Sequence, residues 1–271
     1  MAESSRSIDS SLSRAIALSR DALANEPAGL LTDFDGTLSP IVIDPSLARL
    51  VDGADRALAA LAERLDVVAI ITGRAPLDAR QLTGVAGILI AGNHGLEWLE
   101  PGEAEPKAAP GAAGISDHLN EVLGRLPELP GVLPEHKGIS ASVHYRTAPD
   151  PEAARSAIVS ALGEVEDRGL EIGHGRRIVE VRPIGLGDKG SAARTIVERF
   201  GLRGVVVMGD DVTDLDMFGA IHELRGAGRL RAAIIGVGAA AGEVLPALVE
   251  ASDVVLADPA EAAALLAALS G

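Results

Sequence analysis

The stretch GLLTDFDGTLSP (residues 29–40) carries an apolar run straight into two carboxylates, Asp33 and Asp35, and then turns at Gly36. A carboxylate at the end of a buried strand is costly unless something pairs with it. In an open parallel sheet, ligands sit outside the carboxyl ends of the strands. The stretch therefore reads as a central strand of such a sheet that aims two acids at a ligand cleft.

The rest of the chain supports that geometry. Further apolar runs lie at 66–72 (DVVAIIT), 87–92 (GILIAG), 204–209 (GVVVMG), 231–238 (RAAIIGVG) and 253–258 (DVVLAD). Amphipathic stretches separate most of them, among them 46–65 and 189–201. Continuous apolar strands alternating with helices predict an α/β fold, a Rossmann-like parallel sheet covered on both faces.

The middle of the chain follows another pattern. Residues 100–114 (EPGEAEPKAAPGAAG) form a Pro/Gly/Ala-rich break. A helix-like stretch follows, then SASVHYR (140–146) with strand alternation, a helix near 150–168, and LEIGHGRRIVEVRP (170–183) as one or two strands, with a hairpin around Gly173 to Gly175. We divide the chain into a core, residues 1–102 and 184–271, and an inserted α+β domain, residues 103–183.

Composition narrows the function. With 24 basic and 39 acidic residues the net charge is −15, which argues against nucleic acid and anionic membranes as partners. An anionic substrate stays open, because a few local cations can reverse the field in one cleft. No cysteine is present, so disulfides, zinc–thiolate sites and a cysteine nucleophile are excluded. No apolar run is long enough to span a membrane. The N-terminal residues lack the apolar segment of a secretory signal and read as a plain helix, so a cytoplasmic protein is expected.

Four strand ends carry chemistry. At Asp33 and Asp35, one carboxylate can attack an electrophile while the other supplies and later removes a proton. In AIITGR (69–74) Thr72 follows a buried strand and Arg74 opens the next helix, where a hydroxyl and backbone N–H groups make an anion cradle. Lys189 in GLGDKGSAAR (185–194) starts a helix, where the dipole disfavours a cation and an anionic ligand would favour it. In VVVMGDDVTDLDMF (205–218), Asp210, Asp211, Asp214 and Asp216 crowd one strand end; hard oxygen donors without His or Cys suit Mg2+. The glycine string GVGAAAG (236–242) has one residue too many for a dinucleotide fingerprint, and the six histidines show no metal-ligand spacing.

In order, D-x-D-G-T, T-G-R, a lysine and G-D-D-x-x-D resemble the motif set of the haloacid dehalogenase-like (HAD) phosphatases. DFDGTLSPIV, AGNHG, EHKGISASVHYR, VEVRP and DKG further resemble the trehalose-6-phosphate phosphatases, over residues of about 28–218. The resemblance implies a HAD-like core with an inserted cap, residues 100–114 and 183–186 serving as hinges. It implies Asp33 as nucleophile, Asp35 as acid and base, and Mg2+ held by Asp33, the Asp35 backbone carbonyl and Asp210, with Asp211 and Asp214 orienting bound water. Thr72 and Lys189 would hold the phosphoryl group, assisted by Arg74. Glu135, Lys137 and Glu180 would bind glucose hydroxyls, with His94, His144 and Arg146 as further substrate contacts. The expected activity is hydrolysis of trehalose 6-phosphate by a monomeric chain. Related sugar phosphates (sucrose phosphate, glucosylglycerol phosphate, mannosyl-phosphoglycerate) and a non-catalytic sugar-phosphate sensor stay open. Leu215 stands where the family usually has Glu, which bears on metal support and substrate preference.

Overall fold

The computed structural model describes residues 2–109, 114–175, 177–185, 187–238 and 244–271, with side chains from residue 11. Most of GVGAAAG, part of the 100–114 break and Leu186 at the return lie outside the described residues. The chain forms two compact units, Met1–Pro106 with Gly187–Gly271, and Lys107–Leu186.

The first unit is built on a twisted sheet. Its strands are β1 (Ala28–Thr32), β2 (Val67–Ile71), β3 (Leu89–Gly92), β4 (Glu97–Leu99), β10 (Gly204–Gly209), β11 (Arg231–Val237) and β12 (Val254–Leu256). They lie in the order β12-β11-β10-β1-β2-β3-β4. All neighbours run parallel except β4, which returns antiparallel along β3. Leu31 stands between Val207 and Ala69, so β1 is central.

Pleating sends successive side chains to opposite faces. One face puts Leu30, Val68, Ile70, Val206 and Met208 against α1 (Ala2–Leu23), α2 (Ala54–Arg64) and α9 (Pro259–Ser270), through Ala15, Leu58, Leu61 and Leu265. The other puts Leu31, Ala69, Ile71, Val205 and Val207 against α6 (Lys189–Phe200) and α7 (Asp214–Gly226), through Ile196, Met217, Phe218 and Ile221. With few aromatics in the chain, these aliphatic layers supply nearly all of the apolar burial.

The amphipathic stretch 46–65 is helical only from Ala54. Asp44 caps a short 3-10 turn at Pro45–Leu47, and Gly53 takes φ +85, a left-handed conformation that interrupts helix propagation. Helix α3 (Pro76–Thr83) follows β2, and α8 (Pro246–Ala251) precedes β12.

The second unit holds β5 (Lys107–Ala108), α4 (Ile115–Leu123), β6 (Leu133–His136), β7 (Ala141–His144), α5 (Pro151–Leu162), β8 (Leu170–Gly175) and β9 (Ile178–Pro183). The last four strands form an antiparallel sheet in the order β6-β7-β9-β8. The β8–β9 turn falls after Gly175, with Arg177 at φ +68, rather than around Gly173 to Gly175; neither glycine adopts a positive φ, so both continue the strand.

Candidate active site

Three strand ends of the first unit bring the acids and the lysine together. Asp33 follows β1, its N–H donating to the carbonyl of Met208 at 3.0 Å. Asp210 follows β10 next door. Asp214 is the first residue of α7, and its Oδ2 accepts from the N–H groups of Asp210 and Asp211 at 2.9 and 3.0 Å. Lys189 opens α6 behind a capping box made by Asp188 and Ser191. Its Nζ lies 2.8 Å from Asp33 Oδ1 and 2.8 Å from Asp214 Oδ1, and the residue is only 3% exposed. Two buried carboxylates thus offset the unfavourable end of the helix dipole at which the lysine sits.

The electrostatics are those of a site with more negative than positive charge. Burial opposes the charge on Lys189, but Asp214 and Asp33 outweigh it and hold its pKa above the ordinary lysine range. Burial pushes Asp33 up to about 7, against the pull of Lys189 and with the added charge of Asp214. Asp210 rises to about 8, through burial and then the charges of Asp33 and Asp214. Oxygens of Asp33, Asp210 and Asp214 all lie within 4.8 Å of one another. Hard donors that close, two of them disposed to keep a proton, fit a divalent cation of the Mg2+ type. Asp211 stands apart from this trio: it is exposed, and its Oδ1 accepts from the N–H of Val212. Leu215 packs against the apolar cluster under α7.

Asp35 turns to a different partner. Arg74 binds both of its oxygens, Nε to Oδ2 at 2.6 Å and Nη2 to Oδ1 at 2.7 Å. The guanidinium also donates to the carbonyl of Pro45 at 2.9 Å and lies over the Phe34 ring, 5.4 Å from its centroid. Thr72 is buried at the end of β2, and its Oγ1 accepts from the Arg74 N–H at 3.3 Å. His94 occupies a left-handed backbone position (φ 59) and donates its N–H to Thr72 O at 2.9 Å. A Cβ on Gly73 would meet the His94 ring at 2.8 Å, so the imidazole lies on the T-G-R loop.

The second unit gathers the other candidates. Glu135 pairs with Ser142 and Ser142 with Glu180 across β6, β7 and β9. On the opposite face Ala141, Val143, Val179 and Val181 are buried. Glu135 Oε2 lies 2.8 Å from His144 Nε2 and 3.7 Å from Lys137 Nζ. Arg146 lies just beyond β7 and is exposed. Asp33, Asp35, Thr72, Arg74, His94, Lys189, Asp210, Asp211 and Asp214 thus belong to one unit, and Glu135, Lys137, His144, Arg146 and Glu180 to the other.

Comparison with known proteins places this geometry in a family. The trehalose-phosphatase family model matches residues 31–238. The chain belongs to the trehalose-phosphatase family. A Mycobacterium avium trehalose-phosphate phosphatase is 38% identical over 220 residues, covering 78% of this chain and 55% of its own length. A Mycobacterium tuberculosis protein named as an uncharacterized glycosyl hydrolase is 41% identical over 216 residues, 76% of this chain and 16% of its own length. This chain therefore spans about half of the one relative and about a sixth of the other. The C-terminal domain of the Candida albicans trehalose-6-phosphate phosphatase shares the fold, with a TM-score of 0.74 at 24% identity, over 95% of this chain and 97% of that one. The core is thus HAD-like, with a largely parallel sheet.

Two contributors to the first unit's candidate site were not given that role from the sequence. Thr37 donates to Asp210 Oδ1 at 2.9 Å and so orients that carboxylate. Gly36, at φ +85, lets the turn approach the same acid: a Cβ there would lie 2.0 Å from Asp210 Oδ2. Both belong to the D-x-D-G-T string, which was the available signal.

Proposed function

We propose that this chain is a Mg2+-dependent phosphatase that hydrolyses trehalose 6-phosphate to trehalose and inorganic phosphate, the last step of trehalose biosynthesis, in the cytoplasm. The observation that carries the reading is the pairing of buried Asp33 with Lys189, 2.8 Å apart at the carboxyl end of the central strand, in a chain of the trehalose-phosphatase family.

In this reading an Asp33 oxygen attacks phosphorus and the bond to the sugar oxygen breaks, leaving an aspartyl-phosphate. Asp35 protonates the departing sugar oxygen, since an alkoxide is a poor leaving group. Asp35 then takes a proton from water, whose oxygen attacks phosphorus, and inorganic phosphate leaves as Asp33 is restored. Asp35 must first part from Arg74, whose two N–H groups occupy both of its oxygens. A phosphoryl dianion is a competing partner for that guanidinium. Thr72 and Lys189 bind the phosphoryl oxygens and stabilise the charge that builds on them. Asp33, Asp210 and the Asp35 backbone carbonyl would hold Mg2+, which supplies charge neutralisation between nucleophile and phosphate. Asp214 fixes Lys189 and the loop amides of Asp210 and Asp211.

The second unit, in this reading, is the cap that recognises the sugar. Carboxylates on Glu135 and Glu180 accept hydrogen bonds from hydroxyls, and Lys137 donates to them. The test is phosphate release from trehalose 6-phosphate, sucrose phosphate, glucosylglycerol phosphate and mannosyl-phosphoglycerate, with Mg2+ and with EDTA. The reading expects the first ester to be preferred and EDTA to abolish release. Preference for another ester would overturn the substrate, and release unaffected by EDTA would overturn the metal.

A further inference from the structure

The polar face of the four-stranded sheet holds two features that the proposed sugar contacts do not use. Cross-strand register sets Glu135, Ser142, Glu180 and Gly173 in one row running β6, β7, β9, β8. Glu135 and Glu180 are long acids at intermediate burial, and Ser142 sits between them, 2% exposed. Among the described residues the Ser142 hydroxyl makes no hydrogen bond, and its oxygen is not one of the fully buried polar atoms left without a partner, so it stays accessible from the polar face. Its direct neighbours in the row are acids whose side chains stand on the same face, so the hydroxyl is aimed into the space between them.

The row ends on Gly173, in edge strand β8. Glycine in a strand weakens it and often marks a close approach by a ligand. Nothing in the backbone requires glycine here, because Gly173 does not adopt a positive φ. Sterics do not require it either: a Cβ would sit in ordinary contact, 3.6 Å from Glu180 Cβ and 3.6 Å from Glu180 Oε2. The missing side chain leaves an open shelf beside the Glu180 carboxylate. The neighbouring cross-strand pair, Arg182 Nε to Glu171 Oε1 at 2.7 Å, borders that shelf with charged hydrogen-bonding groups.

We propose that Ser142 and Gly173 are specificity-determining residues for the sugar part of the substrate. Ser142 supplies a hydroxyl that exchanges a hydrogen bond with a sugar hydroxyl held between Glu135 and Glu180, and Gly173 provides the shelf on which the ring lies. The inference rests on the functional reading above and assigns it two further residues.

The test compares Ser142→Ala and Gly173→Val with the wild type, on trehalose 6-phosphate and on p-nitrophenyl phosphate, which has no sugar. Ser142→Ala should raise KM for trehalose 6-phosphate about fivefold, the worth of one hydrogen bond. Gly173→Val should raise it at least ~10-fold by filling the shelf. Both should leave kcat for p-nitrophenyl phosphate within about twofold of wild type, and neither should lower the melting temperature, since one loses no protein hydrogen bond and the other gains a strand-favouring residue. Wild-type KM for trehalose 6-phosphate in both variants would overturn this inference alone. So would equal damage to both substrates, or a lowered melting temperature, because the residues would then act through the fold. A wild-type chain that cleaves p-nitrophenyl phosphate and no sugar phosphate would overturn the functional reading as well.

Discussion

Arg74 grips both oxygens of Asp35, with Nε 2.6 Å from Oδ2 and Nη2 2.7 Å from Oδ1. The same guanidinium is braced by the Pro45 carbonyl and the Phe34 ring. A bidentate pair of this kind is geometrically specific. Arg74 therefore has two tasks in the proposed reaction, holding Asp35 before substrate arrives and meeting a phosphoryl oxygen afterwards. Arg74→Lys keeps the charge and loses the fork. We expect kcat/KM for trehalose 6-phosphate to fall by about 10–100-fold. In the wild type, the Arg74 Nε–H resonance should move when Mg2+ and a phosphate analogue are added; a resonance that stays in place would mean that Arg74 never leaves Asp35.

Metal binding should be tied to pH. Asp33 and Asp210 sit at about 7 and about 8 in the fold, above their ordinary value of 3.8. The metal-free fold therefore binds protons that the unfolded chain has already released. That contribution to stability is present at low pH and is lost as pH rises through about 7 and 8. Mg2+ competes with those protons, so the rise in melting temperature caused by Mg2+ should be larger at about pH 8.5 than at about pH 6. A rise that shrinks over this range would contradict the assignment of these acids to the metal.

Lys189 pairs with two buried carboxylates at 2.8 Å each. Lys189→Met leaves Asp33 and Asp214 facing one another without a cation. Breaking a buried pair from one side typically costs about 3–5 kcal/mol. Urea unfolding without metal should show a loss of that order, and activity should vanish. Wild-type stability in the variant would mean that the pair contributes little to the fold.

The polar face of the second unit should act on sugar alone. Glu135→Ala and Glu180→Ala should each lower kcat/KM for trehalose 6-phosphate by about 10–100-fold, because each leaves a sugar hydroxyl unpaired. Turnover of p-nitrophenyl phosphate should stay near wild type. Equal losses on both esters would remove these residues from sugar recognition.

Much of the core was legible because its signals are local. Runs such as VVAII and GVVVMG are too apolar to lie anywhere but in a doubly covered sheet, and acids at their ends mark the ligand side. The strand at Leu133–His136 and the antiparallel return at Glu97–Leu99 were not read, since both are short and take their pairing from partners set by the fold. Helix α2 starts later than its apolar periodicity suggests, because Gly53 interrupts it. In the site, Asp33, Asp210, Asp214 and Lys189 could be expected to meet from their places at strand and helix ends. The grip of Arg74 on Asp35 could not, since it depends on which way a long side chain turns. Nor could the Glu135–Ser142–Glu180 row, which exists only once β6, β7 and β9 are in register.

The account rests on Asp33 as the nucleophile. The most direct measurement is phosphate release from trehalose 6-phosphate with Mg2+ by Asp33→Asn beside the wild type. Asparagine keeps the shape and cannot form the acyl phosphate. Release should fall at least ~10³-fold while unfolding stays cooperative. Turnover within about tenfold of wild type would contradict the account, because the bond to phosphorus would then be made by another group.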